Sequence, residues 1–321
     1  MRERGALALL TLVTGLLAIL PPRPAAEPVR LALMGDLMLG RDVARAHGDG
    51  DWERTAEALE PALYGVDLAL GNLESPLTSS ALTRPALDLR APPNSAQALA
   101  RLGFDILTLA NNHSLDAGSI GLRDTTHALR SAGIEAVGPS PEAWEGTVGG
   151  LSTALIALDD TLQDLDLRAA HDLVALLHGR ADLVLVSVHW GVELEPAANS
   201  RQRFIATALA SAGADIVFGH GPHVLQEVEW IWGDGRGRPT LVAFSLGNAL
   251  FDSPAPPSAR RSAALIVEVD RGTTFLACAV PLGIDPRTWD LVPAGPASAG
   301  AILRSLQAGQ GRVGPLIAAC P

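Results

Sequence analysis

Side chains that can bind a metal ion follow one apolar, strand-like run after another along this chain. The residues are Asp36 after the first run, Asn72 and Glu74 after the second, Asn111, Asn112 and His113 after the third, His189 after a fourth, and His220 and His223 after a fifth. In open α/β sheets, ligand sites lie beyond the carboxyl ends of the strands, so five strand ends can converge on one place. Carboxylate oxygen, amide oxygen and imidazole nitrogen together favour Mn, Fe or Zn. We therefore predict one divalent metal site.

Each of these motifs has a simpler explanation when it stands alone. A Gly-Asp pair after a strand is usually a turn, the Asn111–His113 stretch can form an Asn-rich turn, and a His at a strand end is usually a surface or core residue. Their joint occurrence, in order, is what favours a metal site. For the other four histidines, which lie in helical or loop context, we predict solvated or packing roles: His47, His127, His171 and His178.

The elements that would position these residues alternate between strand-like and helix-like runs as far as Phe218. This alternation favours βαβ units and a parallel sheet, and the continuous apolar strands indicate sheets covered on both faces. From about residue 224 the strand-like runs follow one another with turn signals between them, such as GDGRG at 233–237. We predict that antiparallel strands complete a single domain over residues 29–285. A Pro-, Gly- and Ala-rich tail follows over 286–321, with a helix-like run at Ala301–Leu306.

The N-terminus has the order of a secretory signal. Arg2 and Arg4 precede an apolar run from Gly5 to Leu20, and a Pro-rich stretch with small residues follows. The run is shorter than the about 20 residues that a membrane-spanning helix needs. We predict that residues 1–26 direct the chain out of the cytoplasm, either as a cleaved signal that leaves a periplasmic or secreted protein, or as a short membrane anchor.

Composition excludes some partners and chemistries. The formal net charge is −11 and all 24 cations are Arg, without a basic run, so nucleic acid is excluded as a partner. The same charge disfavours a polyanion held by side chains alone, although a bound metal ion would reverse this locally. The chain has no P-loop and no G-x-S-x-G motif. Cys278 and Cys320 cannot form a thiolate metal site; a disulfide and two free thiols fit the sequence equally well.

Six stretches, in this order between Leu31 and Asp252, resemble the CapA/PgsA family of poly-γ-glutamate capsule proteins: GDLMLGR, GNLESPLT, GFDILTLANNHSLDAG, VSVHWGVE, GADIVFGHGPHVLQ and FSLGNALFD. That family is similar to the calcineurin-like metallophosphoesterases, which implies an α/β sandwich of two mixed sheets flanked by helices. The resemblance implies metal ligation by Asp36, Asn112, His189, His220 and His223. It further implies that His113 is a general acid and that Arg41 holds an anionic substrate group through two hydrogen bonds.

Three features depart from the phosphoesterase pattern. Met38 stands where that pattern has a His, and Asn72 stands where it has a bridging Asp. Glu74 can replace the missing carboxylate if the backbone turns to present it. His220 and His223 are three positions apart instead of two. These departures weaken one metal position, so the sequence predicts one bound ion or two.

Two functions follow from the resemblance. The first is an exported component of poly-γ-glutamate biosynthesis or export, associated with a membrane synthesis complex, in which the metal site binds polymer carboxylates or stabilises the fold. The second is a metal-dependent hydrolase that cleaves a phosphoester or an amide outside the cytoplasm, with His113 as the acid. Both predict polyglutamate or another anionic molecule as the partner.

Overall fold

The computed structural model describes residues 28–47, 50–83, 87–140, 142–233, 238–254, 256–270, 275–309 and 317–321. The segment over residues 1–26, for which we predict a signal or an anchor, lies outside these ranges. None of the helices in the described ranges has both the length and the apolar character needed to span a bilayer.

The first of two β-sheets has nine strands. They are β1 (Val29–Leu37), β2 (Leu68–Leu73), β3 (Ile106–Thr108), β4 (Glu135–Val137), β11 (Asn248–Leu250), β12 (Arg261–Val269), β13 (Phe275–Ile284), β14 (Leu291–Pro293) and β15 (Ala318–Ala319). The order is β14-β13-β12-β1-β2-β3-β4, with β11 beside β1 and β15 beside β13. Strands β1 to β4 are parallel, and β11 and β15 also pair in parallel with β1 and β13. The pairs β1–β12, β12–β13 and β13–β14 are antiparallel.

The second sheet has six strands. They are β5 (Trp144–Val148), β6 (Leu151–Asp159), β7 (Leu183–His189), β8 (Ile216–His220), β9 (Val228–Trp232) and β10 (Pro239–Ala243). The order is β5-β6-β7-β8-β10-β9, in which β6, β7, β8 and β10 are parallel and the two edge strands are antiparallel. Both sheets are therefore mixed.

The described helices are α1 (Arg41–His47), α2 (Glu53–Leu63), α3 (Ser95–Arg101), α4 (Gly118–Ser131), α5 (Leu167–His178), α6 (Ser200–Ala212) and α7 (Pro296–Gln307), with a short 3-10 helix at Pro257–Arg260. Buried side chains of α2, α3 and α4 pack on the outer face of the first sheet. Those of α5 and α6 pack on the outer face of the second. The predicted sandwich of two mixed sheets flanked by helices is confirmed.

Alternation along the strands separates the apolar layers. In β1, Leu31 and Leu33 point into the layer between the sheets, whereas Ala32 and Met34 point to the helices outside. In β7, Leu185 points inward and Val186 outward. Because side chains of a strand alternate between its faces, strands that are apolar throughout can be buried on both sides.

The end of the chain joins the first sheet. β14 and β15 both pair with β13, and Ile302 and Leu306 of α7 pack into the layer between the sheets. Cys278 of β13 and Cys320 form a disulfide. Of the two alternatives that the sequence left open for the cysteines, the structure has the disulfide.

Candidate metal centre

Strand register brings the polar strand ends into two rows. In the first sheet, Asp36 pairs with Asn72 on one side and with Asn248 on the other. In the second sheet, His189 pairs with His220. The rows face each other across the sandwich, because Asn72 Nδ2 lies 3.3 Å from His189 Nδ1 and His220 Nδ1 lies 3.5 Å from Asp36 Oδ1. The predicted convergence of separate strand ends is thus present in the fold.

Asp36 lies at the centre of this junction and is fully buried. Its carboxylate accepts hydrogen bonds from Asn72 Nδ2 at 2.8 Å and from the Gly221 amide at 3.2 Å. Nδ1 of His223 lies 3.3 Å from its Oδ2. Burial alone would raise the pKa of Asp36, but the hydrogen bond from His223 and the nearby imidazoles outweigh burial and lower it. Asp36 is therefore a carboxylate in this site.

A glycine is required directly before Asp36. A Cβ on Gly35 would lie 1.9 Å from the carbonyl oxygen of Gly247, where no side chain fits. The close approach allows the Asp36 amide to donate a 2.9 Å hydrogen bond to that same oxygen. The Gly-Asp pair thus fixes the end of β1 against the turn before β11.

Glu74 faces three histidines. Its Oε1 lies 3.8 Å from Nε2 of His113, 3.9 Å from Nε2 of His189 and 3.7 Å from Nε2 of His223. Ligand atoms that are each about 2.1 Å from one ion lie no more than about 4.2 Å apart, so these distances fit a shared ion. The Glu74 amide donates to the Leu37 carbonyl, which turns the side chain into the site. Ligand atoms of Asp36, Glu74 and His223 all lie within 4.8 Å of one another.

Several buried ligand atoms at this junction have no hydrogen-bond partner within the described part of the chain. They are both carboxylate oxygens of Glu74, Oδ1 of Asn112 and both ring nitrogens of His220. A buried polar group without a partner is costly, and a buried carboxylate especially so. A coordinated cation would satisfy the oxygens of Glu74 and Asn112 and one of the two ring nitrogens of His220. The residues present therefore fit a divalent metal ion.

The pKa values of the buried histidines differ because the charges around them differ. Burial lowers the pKa of His189 to about 3 and that of His220 to about 4, so both are neutral imidazoles. Burial would also lower the pKa of His223, but the charges of Glu74 and Asp36 and its hydrogen bond to Asp36 raise it to about 10. Burial raises the pKa of Glu74 to about 8. Without a metal ion, the pair formed by Glu74 and His223 thus holds at least one proton that an ion would displace.

His113 is oriented by an acidic neighbour that our sequence reasoning did not identify. Its Nδ1 lies 2.6 Å from Oδ2 of Asp116, and its Nε2 points toward Glu74. The carboxylate of Asp116 accepts the Nδ1 proton and so directs Nε2 into the site. Asp116 lies in the quoted stretch NNHSLDAG, three residues after His113, which is the only sequence signal for it.

Asparagines hold the ligands in place. Asn72 donates to Asp36, and its Oδ1 accepts a 3.1 Å hydrogen bond from Asn111 Nδ2. Asn72 was predicted as a metal ligand; both ends of its amide are used by protein groups here, so we assign it a positioning role. Oδ1 of Asn248 lies 2.9 Å from Nδ1 of His223, and Nδ2 of Asn248 donates a hydrogen bond to the Ala259 carbonyl. Asn248 belongs to the FSLGNALFD stretch, but sequence reasoning gave it no role.

Arg41 and Met38 lie beside these ligands. Arg41, for which we predicted contact with a substrate anion, directs Nε and Nη2 to the carboxylate of Asp252, and its guanidinium lies over the ring of Phe251. That ring packs in turn against His223. Met38, at the position of a ligand His, is buried in a small apolar cluster. Met38 therefore supplies no ligand.

Comparisons with known proteins identify the family. The family model "Bacterial capsule synthesis protein PGA_cap" matches residues 30–253, and the chain belongs to this family. The resemblance to capsule proteins is thereby confirmed. The chain is 29% identical over 244 residues to the PGA biosynthesis protein CapA of Bacillus subtilis, covering 69% of this chain and 63% of that protein. It is 29% identical over 254 residues to the capsule biosynthesis protein CapA of Bacillus anthracis, covering 70% and 60%.

The match thus spans less than two thirds of the length of these two relatives. Among solved structures, a hypothetical protein from Thermus thermophilus is similar, with a TM-score of 0.49 and 20% identity. That match covers 79% of this chain and 99% of the other. At this degree of similarity no site is transferred from it.

Proposed function

We propose that this chain acts outside the cytoplasm in capsule biosynthesis, and that it binds an anionic polymer such as poly-γ-glutamate through a divalent metal site. The observation that carries the proposal is the set of buried ligand atoms without a hydrogen-bond partner in the described part of the chain, on Glu74, on His220 and on Asn112 of the loop that follows β3. Family membership and the relatives named for capsule biosynthesis support the process. The order of residues 1–26 supports export and contact with a membrane synthesis complex.

The residues that would hold the ion come from both sheets: Asp36, Glu74, Asn112, His189, His220 and His223. Their oxygens and imidazole nitrogens fit Mn, Fe or Zn. We propose one ion for each chain, because Met38 is turned away and Asn72 uses its amide for other hydrogen bonds. The bound ion would supply a concentrated positive charge to polymer carboxylates in a chain whose net charge is −11.

Metal content and polymer binding together test this proposal. The full-length protein should retain about one Mn, Fe or Zn per chain by elemental mass spectrometry. It should also bind poly-γ-glutamate in a manner that EDTA abolishes. His220→Ala should lose both properties, because it removes a buried ligand. His171→Ala, which changes a histidine on α5 outside the site, should keep both.

Three results would refute the proposal. The first is a folded wild-type protein that takes up none of the three metals. The second is a His220→Ala variant with undiminished metal content. The third is polymer binding that is unchanged by EDTA, which would place the polymer somewhere other than the metal site.

One observation favours hydrolysis as a second candidate function. Asp116 orients His113 so that its Nε2 points toward the ligand Glu74. A site that only binds polymer does not need a histidine oriented in this way as a proton donor. In such a reaction, His113 would hold a proton at Nε2 and transfer it to the leaving group of a phosphoester or amide. Asn111 would hold the loop, since its Oδ1 accepts a hydrogen bond from the His113 amide at 3.1 Å.

A further inference from the structure

A groove of about 970 Å³ lies where the edges of the two sheets meet. Its sides are α4, the edge strand β4 of the first sheet and the start of β5, the edge strand of the second. The turn from Gly138 to Ser140 joins β4 to this side of the groove. None of the residues that we propose as metal ligands lines it. The groove is therefore a separate candidate for binding.

An aromatic ring forms part of its wall. Trp144 lines the groove, and a Cβ on Gly146 would lie 2.5 Å from Cζ2 and 2.7 Å from Cη2 of the Trp144 indole. The glycine thus allows the indole to lie against its own strand two residues further on. The ring packs partly on the core between the sheets and stays partly exposed. The exposed part of the indole offers an apolar surface, and the ring carries one polar N–H group.

Charged side chains of both signs surround this ring. Arg123, His127 and Arg130 have the i, i+4, i+7 spacing that places them on one face of α4, and all three line the groove. Glu135 and Glu142 line the groove as well. Within the described chain, no ion pair or side-chain hydrogen bond engages Arg130, Glu135 or Glu142.

The third glutamate that lines the groove, Glu145, is paired with an arginine. Glu145 accepts a hydrogen bond of 2.7 Å from Arg180. Two arginines and two glutamates therefore remain to face a ligand, and their formal charges cancel. Glu135 and Glu142 would repel a polyanion such as polyglutamate, whereas Arg123 and Arg130 would repel a polycation. An apolar ligand would remove all four charges from water without replacing their hydrogen bonds.

We propose that this groove binds a neutral pyranose oligosaccharide. Sugar hydroxyls both donate and accept hydrogen bonds, so Arg donors and Glu acceptors can be satisfied at the same time. The C–H face of a pyranose ring is apolar and flat enough to stack on the Trp144 indole. The cavity volume lies within the range of about 300–1,000 Å³ that is usual for small-ligand sites. This inference is independent of the metal centre and goes beyond the function proposed above.

Titration calorimetry on the full-length protein in EDTA tests the proposal without contribution from metal. The probes are chitotetraose, cellotetraose and maltotetraose, with poly-γ-glutamate as the anionic comparison. We expect at least one tetrasaccharide to bind and poly-γ-glutamate not to bind. Trp144→Ala and Arg130→Ala should each weaken that binding by about tenfold or more, as removal of a central Trp or Arg commonly does. Trp232→Ala, at an exposed tryptophan on β9 outside the groove, should leave it unchanged.

An independent measurement does not depend on the stability of the variants. In protein with ¹⁵N-labelled tryptophan, the tetrasaccharide should shift the Trp144 indole resonance, assigned with Trp144→Phe, and leave that of Trp232 in place. The proposal is overturned if no tetrasaccharide binds at millimolar concentration or if bound sugar shifts other indoles but not that of Trp144. Tighter binding of poly-γ-glutamate in EDTA that is lost in Arg130→Ala would make the groove an anion site and likewise overturn it.

Discussion

His113 and His189 both face Glu74, yet replacing them should have different effects on metal content and on turnover. Only His113 is tied to an acid at its other nitrogen, through Asp116. If the protein is a hydrolase, His113→Asn should keep its metal and lose roughly 10²-fold or more in turnover, since general acids contribute about 10²–10⁴-fold. His189→Ala should lose metal, because it removes a buried ring nitrogen. Elemental analysis and a hydrolysis assay on phosphoester and polyglutamate substrates distinguish the two variants.

Metal binding should release protons. In metal-free protein Glu74 has a pKa raised to about 8 and His223 one raised to about 10, so this pair holds at least one proton near neutral pH. Metal ligands must be deprotonated, and so the apparent affinity should rise with pH, about tenfold per unit for each proton displaced. Calorimetry at pH 7 in buffers of different ionisation enthalpy should show release of about one proton or more. A pH-independent affinity between about pH 6 and pH 8 would contradict these ligand assignments.

The sequence predicted the candidate metal ligands better than the residues that position them through hydrogen bonds. Asp36, Glu74, His189 and His220 could be found because each follows an apolar run, and the ends of parallel strands share one edge of a sheet. Asp116 and Asn248 could not be found in this way. Their roles depend on how a loop folds back on a histidine, and no periodic pattern records that. Asn72 was correctly placed in the site, but its hydrogen bonds to Asp36 and Asn111 required the structure.

At the scale of elements, the end of β1 depends on one glycine. Gly35→Ala should lower the free energy of unfolding by about 2–4 kcal/mol, because its Cβ would meet the Gly247 carbonyl and the backbone would have to shift. The same shift should move Asp36 and weaken metal binding. Gly295→Ala is the matched control: no atom lies within 4 Å of its Cβ position, and it should cost less than about 1 kcal/mol. Denaturant unfolding compares the two.

Long elements with strong patterns were predictable, and short ones were not. The helix-like run predicted at Ala301–Leu306 lies within the helix Pro296–Gln307. The strand Asn248–Leu250 escaped prediction because it exists only through its pairing with β1. The strand Trp144–Val148 escaped as well, since as an edge strand with several exposed residues it lacks a continuous apolar run.

At the scale of the whole molecule, we predict export from the cytoplasm. A reporter fused after residue 30 should reach the outside of the cytoplasm, because residues 1–26 have the order of a secretory signal. Deleting Gly5–Leu20 from the fusion should keep the reporter inside. A mature protein whose mass corresponds to a chain that begins near Glu27 would indicate cleavage. Full-length protein in the membrane fraction would indicate an anchor. A reporter that stays cytoplasmic with the intact segment would rule out export.

The ligands of the metal centre are divided between the two layers of the sandwich. In the first sheet, Asp36 lies near the end of β1 and Glu74 directly follows β2. In the second sheet, His189 and His220 are the last residues of β7 and β8. A cation coordinated by both groups would therefore fasten one layer to the other at this edge. Because the full set of ligands is brought together only in the folded chain, metal binding and the free energy of unfolding would be thermodynamically linked. Bound metal would then indicate that the two sheets of a chain have packed together correctly.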